Sequence, residues 1–206
     1  MSGLCGVVSR EHCAETLMFG TDYHSHLGSQ LGGMAVLGER FEKKIHDITQ
    51  GSFKFRFRKD VHDMHGSMGI GVMSDSDAQP LLIRSRFGLY ALAMTGLIEN
   101  KDALARDLLD RGTVFTESSE GGINGVELLA RLIDRGADLV EGLASVYDAI
   151  DGAASILLLD RDGILAARDR LGRSPLIVGE RGDDLMVASE SIALISLGFK
   201  PVTALG

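Results

Sequence analysis

Between Gly152 and Ser189 the chain passes through three short apolar segments, 153–159, 163–168 and 185–189, and Asp160-Arg161-Asp162-Gly163 joins the first two. That tetrapeptide is a hairpin turn signal, so this stretch favours antiparallel pairing. Further candidate strands follow the same short apolar pattern. Leu4-Cys5-Gly6-Val7-Val8 reads as a buried strand, Leu31–Leu37 as a glycine-interrupted one, and 69–73, 80–84 and 89–93 as three more. Twenty-six glycines against three prolines supply tight turns with few rigid linkers.

Helical patterns occupy other stretches. A helix is expected at roughly 11–27, where Ala14, Leu17, Met18 and His24 fall near one face. Another is expected near 99–111, with Asp102 and Asp107 favouring its early turns and Arg106 and Arg111 its later ones. After the loop Glu117–Gly125, helices are expected at 126–135 and 138–149. Strands, then paired helices, then strands predict an α+β architecture with helices packed on antiparallel sheets. Neither a repeat nor a linker interrupts 1–206, which reads as one domain.

The run Phe53-Lys54-Phe55-Arg56-Phe57-Arg58 alternates strictly. It predicts a half-buried strand, three phenylalanines inward and three basic residues outward. The functional alternative is an RNA-stacking strand with basic neighbours.

The composition is 45% hydrophobic with a net charge of −8, which allows a real core and disfavours a general nucleic-acid binder. Neither a membrane-length apolar run nor a signal peptide is visible, so a soluble, cytoplasmic domain is expected. Two cysteines, Cys5 and Cys13, exclude a disulfide scaffold and a cysteine-rich zinc site. His24 and His26, or His62 and His65, have spacings seen among metal ligands but lack further partners in sequence, so neither metal nor cofactor is expected. Gly28, Gly32 and Gly33 lack the strand–turn–helix context of a dinucleotide fingerprint. Arg168-Asp169-Arg170 fits a salt-bridged turn better than a phosphate patch.

Cys5 has the greatest chemical potential. A cysteine made N-terminal by processing carries its own general base, an α-amine of pKa about 7.7–8.0. Its thiol can attack an amide and form a thioester that water releases. Each oxyanion donor nearby contributes about 3–4 kcal/mol. Read from its local pattern alone, Cys5 is a buried strand cysteine, and Cys13 reads as packing.

Several segments in order resemble a class II glutamine amidotransferase domain, nearest the glutaminase domain of amidophosphoribosyltransferase. They are Leu4-Cys5-Gly6-Val7-Val8, His26-Leu27-Gly28-Ser29-Gln30 with Gly33-Met34-Ala35-Val36, Gly69-Ile70-Gly71, Ala78-Gln79-Pro80, and Thr95-Gly96 with Asn100. Ala167-Arg168-Asp169, Leu171-Gly172, Pro175-Leu176 and Ala188-Ser189-Glu190 complete the set. The resemblance implies the N-terminal-nucleophile hydrolase fold, a four-layer sandwich of two antiparallel sheets between helices. It implies hydrolysis of glutamine to glutamate and ammonia for an attached or partner synthase. It carries the nucleophile to Cys5, with residues 1–4 as a leader to be removed, and the oxyanion hole to Gly96 and Thr95.

Four positions depart from that pattern. Leu27 stands where the family has an arginine, and Val72–Asp77 contains no basic residue where a carboxylate-clamping arginine belongs. Thr95 replaces the oxyanion asparagine. The 116–127 region offers Glu117, Glu120 and Glu127 but no aspartate for the substrate amine. Three readings follow: an active glutaminase, a degenerate regulatory or assembly domain, or an amidohydrolase acting on another small amide.

Overall fold

In the computed structural model, residues 3–119, 122–169 and 172–205 are described. Glu120, Arg170 and Leu171, singled out above, lie outside the described residues, as do Met1 and Ser2 of the leader. One sheet holds seven antiparallel strands in the order β13 (Lys200–Ala204), β11 (Ile177–Arg181), β12 (Asp184–Ala188), β1 (Gly3–Val8), β4 (Met68–Ser74), β2 (Leu31–Leu37) and β3 (Phe41–Asp47). A second holds β10 (Ile164–Arg168), β9 (Gly152–Leu159), β6 (Gly88–Ile98) and β5 (Leu81–Ser85), again antiparallel. The short ladder of β7 (Ser118–Ser119) and β8 (Gly122–Ile123) sits in the loop expected there.

Three apolar cores alternate with the sheets. Leu4, Ile70, Val72, Ala93, Leu157 and Val187 fill the space between them. Helices α1 (Ala14–Asp22), α2 (Phe53–Phe57) and α6 (Ser191–Ser196) cover the seven-stranded sheet through Cys5, Leu17, Met34 and Met186. Helices α3 (Lys101–Asp110), α4 (Gly125–Ile133) and α5 (Leu139–Ala149) cover the other through Leu92, Leu129, Ile133 and Ile156. This is the four-layer α+β sandwich anticipated, and every strand buried on both faces is correspondingly apolar.

Local chemistry explains the boundaries. At the hairpin from β9 to β10, the Asp160 carboxylate accepts from the N–H groups of Asp162 (2.9 Å) and Gly163 (3.1 Å). Helix α4 starts at Asn124, whose side-chain oxygen accepts from Val126 N (2.8 Å) and Glu127 N (3.3 Å).

Two expectations need correction. Residues 53–57 are helical. Ser52 caps them by accepting from Phe55 N, and Phe53 and Phe57, four residues apart, are buried with rings stacked 4.1 Å apart. Phe55 points away, 68% exposed, so the run is read by helical rather than strand period. The first helix is also shorter than 11–27: it ends at Asp22, and the chain turns before β2. Strands β3, β11 and β13 and helix α6 were not anticipated.

Candidate functional site

Strand β6 runs through the second sheet with Thr95 opposite Ser155 and Gly96 opposite Ala154. Gly96 has φ of +134°, and a Cβ there would collide with the Ala153 carbonyl, so both backbone angle and space require glycine. Thr95, Gly96 and Leu97 form one wall of a cavity of about 490 Å³. Arg173, Ser174 and Pro175, between β10 and β11, form another. The Ser174 carbonyl accepts from the buried Ser155 hydroxyl at 2.9 Å, which ties that segment to β9. Ser189 and Glu190, just beyond β12, and Leu27 complete the lining.

Thr95 and Gly96, adjacent on β6, thus line one cavity, and Leu27 joins them there. Cys5 is not among the lining residues. It pairs with Ala188 and Gly71 on neighbouring strands, and its side chain belongs to the core beneath α1. Leu4, one residue earlier, faces the space between the sheets. Since side chains alternate along a strand, Cys5 and Leu4 occupy opposite faces of β1. The Cys5 thiol is fully buried. Burial pushes it far above its ordinary range, a hydrogen bond with Thr21 opposes this in part, and Cys13 adds to it. Cys13 is itself pushed up to about 12 by burial.

The other sequence candidates have structural partners. Asp75 accepts from the Ser29 N–H at 2.8 Å, and Asp77 from the Gly125 N–H at 3.1 Å, so two carboxylates of the arginine-free segment hold neighbouring backbone. Glu127 accepts from Thr116 N (2.9 Å), Glu117 N (2.7 Å) and the Arg131 guanidinium (2.7 Å). It clamps the loop before β7. Burial alone would raise its carboxyl, but these donors outweigh burial and hold it below the ordinary range. Asn100 donates to the Ala149 carbonyl at 2.9 Å and accepts from Asp151 N at 2.9 Å, bracing the start of α3.

His24 and His26 diverge. His24 is buried against Gly3, and burial pushes its imidazole below the ordinary range while nearby Glu190 opposes this. His26 is exposed and lies 3.1 Å from the Glu190 carboxylate. No group of three histidine, cysteine or acidic side chains is arranged to hold a metal among the described residues.

Buried Gln79 links the two sheets at Met94, the residue before Thr95. Its Oε1 accepts from Met94 N (2.8 Å) on β6, and its Nε2 donates to Ser74 Oγ (3.3 Å) on β4. The residues missed as site components are Arg173, Ser174, Ser189 and Glu190. Pro175-Leu176 and Ala188-Ser189-Glu190 are visible in the sequence as family-like strand segments, but only the chain path brings their ends onto one cavity.

Known proteins resemble this chain in sequence and in fold. The family described as "Glutamine amidotransferase domain" matches residues 65–196. Amidophosphoribosyltransferase of Methanocaldococcus jannaschii is 29% identical over 210 residues, covering 96% of this chain and 44% of that protein. The Bacillus subtilis protein of the same name is 28% identical over 208 residues, covering 95% and 42%. Glutamine--fructose-6-phosphate aminotransferase [isomerizing] of Pectobacterium atrosepticum is 26% identical, covering 95% and 33%. The chain thus spans less than half the length of these relatives. The solved structure of glutamine phosphoribosylpyrophosphate amidotransferase from B. subtilis, in complex with ADP and GMP, superimposes with a TM-score of 0.87 at 25% identity, over 98% of this chain and 45% of that one. With the family match covering most of its length and the same fold throughout, the chain belongs to the class II glutamine amidotransferase domain family.

Proposed function

We propose that this domain does not release ammonia from glutamine through Cys5, and that it serves an attached or partner synthase or transferase as a regulatory or assembly domain. The observation that carries this reading is the position of the Cys5 thiol, buried on the helix-covered face of β1 and absent from the cavity that Thr95 and Gly96 line. A thiol held in its protonated form there is a weak nucleophile, and no substrate amide reaches it without displacing α1. Leu27, on the cavity wall, adds the second support, because it stands where the family resemblance implies an arginine and brings no charge of its own.

The test is glutamate and ammonia production from glutamine by the purified chain and by Cys5→Ala, after intact mass has established whether residues 1–4 are retained. The expected result is turnover at background in both proteins. Turnover that falls at least about a hundredfold in Cys5→Ala overturns the reading, since loss of a nucleophile costs that much or more.

A further inference from the structure

Although Leu27 brings no charge to the cavity, a cation does line it. Arg173 arrives from the segment between β10 and β11, is exposed, and has neither an ion pair nor a hydrogen bond among the described residues. We propose that this cavity binds a small aliphatic monocarboxylate, its anionic group on the Arg173 guanidinium and its hydrocarbon body against Leu27, Leu97 and Pro175. This deepens the reading above and rests on taking the cavity as a ligand site rather than a working glutaminase centre.

Each part of that ligand answers to a lining residue. The planar guanidinium fork matches a carboxylate, and among the described residues Arg173 is the sole basic side chain on the lining. The Ser189 hydroxyl accepts from Leu4 N at 3.0 Å, which leaves its own proton available to a second carboxylate oxygen. The apolar wall gains from covering methylene groups and gives nothing to a small hydrated anion such as phosphate. Among the described residues Glu190 is the sole acidic side chain on the lining and would repel a second carboxylate, so dicarboxylates are disfavoured. About 490 Å³ suits a small molecule.

The experiment is an amide-resolved NMR titration of the full chain with pentanoate, its neutral isostere pentanamide, pentanedioate and inorganic phosphate. Saturable shifts at Gly96, Leu97, Ser174 and Ser189 are expected with pentanoate, and binding at least about tenfold weaker with each of the other three. Arg173→Gln should weaken pentanoate binding at least about tenfold and leave shifts outside the cavity unchanged. Arg161→Gln, at the exposed hairpin turn, should bind as the parent does. Equal binding of pentanamide or phosphate, an unaffected Arg173→Gln, or no saturable response to pentanoate overturns the proposal. Cys5-dependent glutamine turnover sinks the functional reading instead, and it is a separate readout from these binding curves.

Discussion

The Cys5 sulfur lies so close to Gly20 that a Cβ built on Gly20 would stand 2.7 Å from Sγ and 2.5 Å from Met186 Cε. Helix α1 and strand β1 meet there without a side chain on the helix, and the thiol fills the gap. Gly20→Ala is therefore expected to lower stability by about 1–3 kcal/mol through overpacking. In a Cys5→Ala background the same substitution should cost less, because the smaller side chain leaves room for the added methyl. Denaturant midpoints of the four proteins measure this; an identical cost in both backgrounds would mean that the sulfur is not what Gly20 accommodates.

The same burial governs thiol chemistry. Both cysteines are buried and have pKa values raised by it. At pH 8 a thiol reagent is expected to label each at least about a hundredfold more slowly in the native protein than in denaturant, because access requires opening. Rapid stoichiometric labelling of native Cys5, located by peptide mapping, contradicts the burial.

Glu127 is expected to act as an acid-sensitive fastener. A carboxyl lowered on folding contributes stability in full above its unfolded value, about 4.3, and loses that contribution as pH falls through the lower folded value. Glu127→Gln should cost about 1–3 kcal/mol at pH 7, with Arg131 left without its anion. The difference from the parent should shrink as pH falls through that lower folded value, where the parent side chain also becomes neutral. Unfolding curves across that range would show a constant gap if the carboxylate charge had no part.

The phenylalanines of α2 separate two periodicities. Phe57→Ala should cost about 3–5 kcal/mol, since the ring is fully buried against Phe53. Phe55→Ser should change stability by no more than about 0.5 kcal/mol, because that ring is exposed. A strand with all three rings inward predicts similar, large losses at both positions, so the pair of unfolding measurements discriminates cleanly.

Legibility in the sequence followed how local the determining chemistry is. The hairpin at Asp160–Gly163 was readable because the aspartate, glycine and flanking apolar runs act within a few residues. Phe53–Arg58 misled because an alternating run of six also places Phe53 and Phe57 four apart, and the deciding signal was the cap at Ser52. Strand β13 offered no apolar pattern, since every residue of that edge strand is exposed. Strand β1 was readable as a strand, but which side of it carries Cys5 depends on the register with β4 and β12, which no short segment contains. Arg173 and Glu190 share a cavity only through the return of β11 and β12 beside β1, so their common place on its lining had no local trace.

The bridge made by Gln79 bears on how the cavity can move. Its amide is fastened to the backbone of β6 on one side and to the Ser74 hydroxyl of β4 on the other. Sliding one sheet over the other would strip both bonds from a buried amide, a cost of about 1–3 kcal/mol for each group left unpaired. The wall carrying Thr95 and Gly96 thus behaves as a fixed jaw.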